Sequence, residues 1–381
     1  MSWEKVNLGD LATFVNGYPF KPSDWSDEGM EIIRIQNLTK GSAETNYYKG
    51  QIPEKYKIKN GDILISWSAT LDIFVWAGKD AWLNQHIFKV VFDKKEIDRN
   101  FFVYLIKFIL DDMRKEVHGA TMQHITKGKF DALQVPLPPL PIQKRIAEIL
   151  DAADALRRKD QELLSKYDEL AQAIFIDMFG DPVKNEKGWE VKKLKEFGKV
   201  QTGNTPPREE KRFYGSFIEW IKTDNILLEK LNPLQATEYL SEEGLKKGRY
   251  VDSGSVLVTC IAGSSKSIGN VVLTNRRVSF NQQINSLTPK SSYNKLFIYA
   301  LFRYSKSIIQ DNTTQGMKRI ITKSTFENLK FISPPIELQN EFEQKYKVLL
   351  KLIDSINFQQ KSSENLFDSL LQQAFKGELV K

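Results

Sequence analysis

Phe130-Asp131-Ala132-Leu133-Gln134-Val135-Pro136-Leu137-Pro138-Pro139-Leu140-Pro141-Ile142-Gln143 is answered 196 residues later by Phe326-Glu327-Asn328-Leu329-Lys330-Phe331-Ile332-Ser333-Pro334-Pro335-Ile336-Glu337-Leu338-Gln339. Phe, Leu, Pro-Pro and Gln coincide, and so does what precedes them. Trp3-Glu4-Lys5-Val6 returns as Trp189-Glu190-Val191-Lys192, Asn60-Gly61-Asp62-Ile63-Leu64-Ile65-Ser66 as Ser253-Gly254-Ser255-Val256-Leu257-Val258-Thr259, and Leu83-Asn84-Gln85 as Phe280-Asn281-Gln282. An internal self-match at a nearly fixed period outranks any local motif. Two copies imply two related modules and a pseudo-twofold molecule, not a solenoid.

Each copy splits into a mixed segment and a helical one. The runs 31–35, 62–67 and 87–92 read as strands bounded by turn residues, and 101–117 and 295–309 as helices late in each mixed segment. The Pro-rich stop at 136–141 closes the first segment and can open a helix. Beyond it apolar residues recur at alternating steps of four and three: Ile142, Ile146, Ile149, Ala153, Leu156, then Leu163, Tyr167, Leu170 and Ile174, with Asp160 interrupting. The second copy has Phe342, Tyr346, Leu349, Ile353 and Ile356, polar Gln360 and Ser363, then Phe367, Leu370 and Ala374. A period of 3.5 argues for a coiled-coil seam; the alternative is a helix packed on its own domain. The connectivity predicts an α+β fold: two repeated α+β domains, residues 1–140 and 181–335, separated by two long helices, 141–180 and 336–381, that form an antiparallel coiled coil with pseudo-twofold symmetry. About 33 residues at 1.5 Å each make a rod of roughly 50 Å.

The 381 residues suffice for two or three domains, and 41% hydrophobic content fits a folded chain. A net charge of +7 and a pI near 9.0 lean mildly towards an anionic partner. Cys260 stands alone, so no intrachain disulfide forms. The opening lacks a signal-peptide pattern and no apolar run spans a bilayer, so a cytoplasmic protein without a membrane partner is expected.

Catalytic signatures are missing. His86, His118 and His124 have no metal-site spacing, and 263–267 has Gly, Lys and Ser without the ending a phosphate loop needs. Polar and basic residues at matching places stand out instead. Near the end of each domain lie Thr121, Gln123, Lys127 and Lys129, answered by Lys318, Arg319 and Lys323; earlier come Arg34, Gln36 and Asn37, answered by Lys222, Thr223 and Asn225. Lys and Arg suit phosphates, while Gln, Asn, Thr and Arg can address base edges. Solvated loop tips are the alternative, weakest for the first group because it recurs in both copies. The amides of Asn84-Gln85 and Asn281-Gln282 are read as backbone locks.

The tandem repeat, its two closing signatures, the ending Leu370-Leu371-Gln372-Gln373-Ala374-Phe375-Lys376-Gly377-Glu378-Leu379 and the opening Gln201-Thr202-Gly203-Asn204-Thr205-Pro206 resemble the specificity subunit of type I restriction-modification enzymes, across essentially the whole chain. The first domain departs from the Gly-x-Thr-Pro opening with Asn16-Gly17-Tyr18-Pro19-Phe20. The resemblance implies two target recognition domains, each reading one half of a bipartite asymmetric site on double-stranded DNA. It implies that the helices are spacer and dock for two methyltransferase subunits and that restriction subunits join them. The chain itself would be non-catalytic, with S-adenosylmethionine, ATP and magnesium held by the partners. Three other readings remain open at this point: a specificity subunit of a different restriction or modification architecture, a coiled-coil protein scaffold that binds no DNA, and an enzyme with an unfamiliar site.

Overall fold

A computed structural model describes residues 3–39, 44–68, 70–116, 127–314 and 319–380. The chain forms two units. The first comprises residues 1–161 and 358–381, the second 162–357.

Both units repeat one topology. In the first, the strands Thr13–Asn16, Ile87–Val91, Ile63–Ser66 and Asp72–Val75 lie side by side in that order as an antiparallel sheet. In the second, Gly198–Thr202, Ile284–Pro289, Val256–Thr259 and Val271–Leu273 do the same. A second sheet follows in each. Asn46–Tyr48, Met30–Ile33, Ala81–Leu83 and Lys57–Ile58 correspond to Tyr239–Leu240, Tyr214–Ile221, Val278–Phe280 and Tyr250–Val251. Its inner pair is parallel in both units, with Ile32 opposite Trp82 and Trp220 opposite Ser279. The repeated ends of each copy are also partners: Val6 pairs antiparallel with Val135, and Lys192 with Phe331. That pairing is why Trp-Glu and Pro-Pro recur together in the sequence.

The expected strand 31–35 ends early, because Ile35–Thr39 turns into a short helix after Met30–Ile33. The expected helix 295–309 breaks at Ser305, whose hydroxyl bonds back to the Leu301 carbonyl, leaving Lys295–Tyr304 and Lys306–Asp311.

The two long helices are Leu140–Phe179 and Ile336–Lys376. Each stops at a glycine with positive φ, Gly180 at 74° and Gly377 at 77°, the left-handed closure that residues with a Cβ resist. Their starts share a clamp. The Gln143 side chain, 2% exposed, accepts the Asp98 backbone N–H at 2.9 Å and donates to the Pro138 carbonyl at 2.8 Å. Gln339, 1% exposed, does the same with Asn294 at 2.9 Å and Pro334 at 2.7 Å. The signature glutamine thus ties the long helix to the start of the domain's own helix, Arg99–Glu116 or Lys295–Tyr304. Gln339→Leu would strand a buried N–H and a buried carbonyl at about 1–3 kcal/mol each. We expect a loss of about 2–6 kcal/mol in denaturant unfolding; an unchanged midpoint would show that water takes over both bonds.

The helices pack on one another within each unit. In the first, Asp160 faces Ser363 and the Arg157 guanidinium sits 4.5 Å over the Phe367 ring, an antiparallel order. Ile146 and Ala153 from the first helix share a core with Leu371 and Ala374 from the second, and Leu370 is partly buried against it. In the second unit, Tyr346 and Leu349 are buried and Ile353 is partly buried in the core that holds Phe175, Phe179 and Phe342. Ile149, Leu163 and Ile356 are half-buried.

Leu156 and Leu170 correct the sequence reading. They are 40% and 46% exposed, and the inward positions belong to Arg157, Asp160 and Ala171. Asp160 does not interrupt the buried row; it belongs to it. At 2% exposure it accepts Gln359 Nε2 and Ser363 Oγ, both at 2.7 Å. A stripe drawn through the largest apolar residues slips by one position wherever the inward side chain is polar or small.

Candidate nucleic-acid interface

The earlier candidate group sits where each inner parallel strand ends. After Met30–Ile33, the Asn37 Oδ1 accepts the Arg34 backbone N–H at 3.0 Å. After Tyr214–Ile221, the Asn225 Oδ1 accepts the Lys222 N–H at 2.9 Å and its Nδ2 donates to the Gln235 carbonyl at 3.2 Å. Asn225 is 5% exposed. Both amides hold the chain's turn; Asn225, buried with both amide atoms bonded, is corrected from a base-edge candidate to a backbone lock, whereas Asn37 stays half-exposed. The cations beside them are half-buried. The Arg34 guanidinium donates to the Glu44 carbonyl at 2.9 Å and lies 5.1 Å over the Trp25 ring. Lys222 Nζ lies 2.6 Å from Glu238. Gln36 is exposed and Thr223 half-exposed.

The sequence missed Arg208. Its guanidinium reaches the other Glu238 oxygen at 2.5 Å and covers the rings of Tyr214 and Trp220 at 4.9 and 4.7 Å. Hydrogen bonds from Arg208 first and Lys222 second hold Glu238 below the usual carboxylate range, so the cluster carries one net positive charge at neutral pH.

In the later candidate group, Thr121, Gln123 and Lys318 lie outside the described residues. In the first unit, Lys127 and Lys129 sit on the short helix Lys127–Asp131, with Lys127 ion-paired to Asp131 at 2.5 Å. In the second, Arg319–Ile320 pairs with Ile261–Ala262, which brings Arg319 beside the loop that carries Lys266. Lys323 opens the next helix and pairs with Glu327 at 3.1 Å. Asn270 Nδ2 donates to the Ile226 carbonyl at 3.3 Å, next to Asn225, and its Oδ1 accepts Lys306 Nζ at 2.6 Å. Lys306 also reaches the Lys266 carbonyl at 2.6 Å. Burial first, then Arg303, lowers the Lys306 pKa.

The Asn281 side chain locks its turn by accepting the Gln283 backbone N–H, whereas the amides of Gln85 and Gln282 meet the side chains of His86 and Thr205. A Cβ on Gly17 would lie 2.2 Å from the Asn84 carbonyl oxygen, and one on Gly203 2.2 Å from that of Asn281. The Asn281 side chain bonds Gln283 twice, at 3.0 Å each. The Cys260 thiol is buried, and burial pushes its pKa up to about 12, so it is no nucleophile. Among the described residues, no group of three or more His, Cys, Asp or Glu side chains is placed to hold a metal, and no helix is long and apolar enough to cross a membrane.

The arrangement is thus one scaffold used twice, with cations and aromatic rings at matched corners. The family model for the type I restriction modification DNA specificity domain matches residues 1–165 and again 186–366. The EcoBI type I specificity subunit of Escherichia coli is 26% identical, across all of this chain and 86% of that protein. The MjaVIII specificity subunit of Methanocaldococcus jannaschii is 25% identical, across 92% of this chain and 87% of that protein. The crystal structure of a type I S subunit from M. genitalium matches with a TM-score of 0.55 at 15% identity, covering 98% of this chain and 96% of that one. A chain from a structural study of type I system assembly and conformational transition gives 0.56 at 16% identity, covering 99% and 98%. At those identities the likeness to solved structures is one of fold.

Proposed function

Because the chain belongs to the type I restriction-modification DNA specificity family, we propose that it reads a bipartite, asymmetric site on double-stranded DNA, one half with each unit, and performs no chemistry itself. In this reading residues 1–140 and 181–335 are the recognition domains, and 141–180 and 336–381 are the spacer helices, which set the gap between half-sites. The observation that carries it is a contrast within the repeat. The scaffold is copied in detail, Gln143 with Gln339 and Gly17 with Gly203. The side chains at the strand-end corners are not: Arg34 and Gln36 stand where the second unit has Lys222 and Asp224. Two copies that keep their frame and change their surface suit two different half-sites.

The long helices carry exposed apolar side chains, Phe358 at 76%, Val348 at 61% and Leu366 at 47% among them. Such surface supports a docking role, here for two methyltransferase subunits, with restriction subunits joining the assembly. S-adenosylmethionine would belong to the methyltransferases, and ATP and magnesium to the restriction subunits. Two linked modules multiply specificity, because the second half-site is met at high effective concentration.

Methylation mapping of DNA from cells that carry this chain with its cognate methyltransferase subunit tests the reading. A new methyl-adenine motif in two parts with a fixed gap, missing when this chain is omitted, is the expected result. An unchanged methylome from an assembled complex would instead favour a scaffold that binds no DNA.

A further inference from the structure

Resting on that reading, we infer that Arg208 is a specificity-determining residue, which reads a guanine in the half-site of the second unit. Three observations converge on it. The first is that Arg208 is immobilised and yet open. Its side chain is 51% exposed, while the Glu238 carboxylate and two aromatic rings fix its plane. An arginine serving only as a solvated counter-charge has no need of such a frame; a planar donor fork prepared for a planar acceptor does. The bidentate match of a guanidinium to guanine O6 and N7 is the commonest specific contact in the major groove.

The second is that the loop beneath it is pinned from several sides. Tyr214 donates its hydroxyl hydrogen to the Pro206 carbonyl at 2.6 Å, Asn204 Nδ2 donates to the Lys247 carbonyl at 2.6 Å, and Trp220 Nε1 donates to the Asn204 carbonyl at 3.2 Å. Fixing the loop before binding lowers the entropy lost on contact.

The third is recurrence by different means. Asn46 faces Ile32 across the strands of the first unit, as Glu238 bonds Trp220 in the second. Near the end of this inner strand both units stack a guanidinium on an indole, buried in the second unit (Trp220, 2% exposed) and open in the first (Trp25, 42%). In the first, the arginine, Arg34, comes from the strand end and the tryptophan, Trp25, from the preceding loop; in the second, the loop gives Arg208 and the strand gives Trp220. The pair is kept although its donors have traded segments, which points to a use for the pair itself.

The test maps methylation in cells with the cognate methyltransferase subunit and wild-type, Arg208→Ala or Arg208→Lys chain. Lysine keeps the charge and loses the fork. Both variants should relax one guanine position in one half of the motif, by about ten- to a hundredfold in discrimination, and leave the other half and the gap unchanged. An unaltered motif overturns the inference. So does methylation that falls evenly at all sites and returns with lysine, since that marks a phosphate contact or a structural ion pair. A wild-type chain that directs no methylation at all fails the specificity reading itself, and is told apart by that.

Discussion

Phe175→Ala is expected to destabilise the chain by about 3–5 kcal/mol, the range for deleting a fully buried phenyl ring. Phe175 has 0% exposure, and four rings meet it: Phe179 at 5.0 Å, Tyr304 at 5.2 Å, Phe342 at 5.6 Å and Phe297 at 6.0 Å. They come from three helices of the second unit, the two long ones and Lys295–Tyr304. Truncation therefore opens a cavity that no single helix can close by shifting. Leu156→Ala is the control. Leucine there fits the apolar stripe of the sequence, but the side chain is 40% exposed, so its loss should stay within about 0.5 kcal/mol. Chemical unfolding of the two variants beside wild type decides the matter. A cost of 2 kcal/mol or more for Leu156→Ala would place that leucine in a packed interface and restore the stripe as the sequence draws it.

The duplication, the two mixed domains and the two long helices were legible because they rest on self-similarity and on helical spacing, which are properties of the chain alone. The purpose of the closing glutamines was not. Gln143 meets the Asp98 N–H and Gln339 the Asn294 N–H, each 45 residues away, and nothing local marks that distance. Asn37 and Asn225 could have been read better. Each lies three residues after a cation and bonds that residue's own N–H, a local pattern in which asparagine competes with regular structure. Asp160 was hidden because a buried carboxylate satisfied by Ser363 and Gln359 looks, in sequence, like a break in the seam. Arg208 was missed for a deeper reason. Matching the two copies finds what they share, and residues that give two half-sites different sequences are those the copies do not share.

The affinity of the assembled complex for its DNA should fall steeply with salt, by about 10³–10⁵ between 50 and 200 mM if six to ten phosphates are neutralised. The structure ranks the contributors. Lys266 is exposed on the loop beside Arg319, so Lys266→Gln should reduce the log–log slope by about one and weaken specific and random DNA alike. Lys323 is already ion-paired with Glu327 at 3.1 Å. Its contact with a phosphate would release no full counterion, so Lys323→Gln should change the slope by less. Neither substitution should alter the methylated motif, because a phosphate contact positions the protein without reading sequence; Arg208→Lys should do the reverse, sparing the slope and changing the motif. Binding measured by fluorescence anisotropy across a salt series separates these cases. A slope near zero, or no binding at 50 mM, would remove DNA as the partner. The cations of the second unit would then be surface charge balanced by their own carboxylates, as Arg212 is by Glu210 and Arg277 by Asp252.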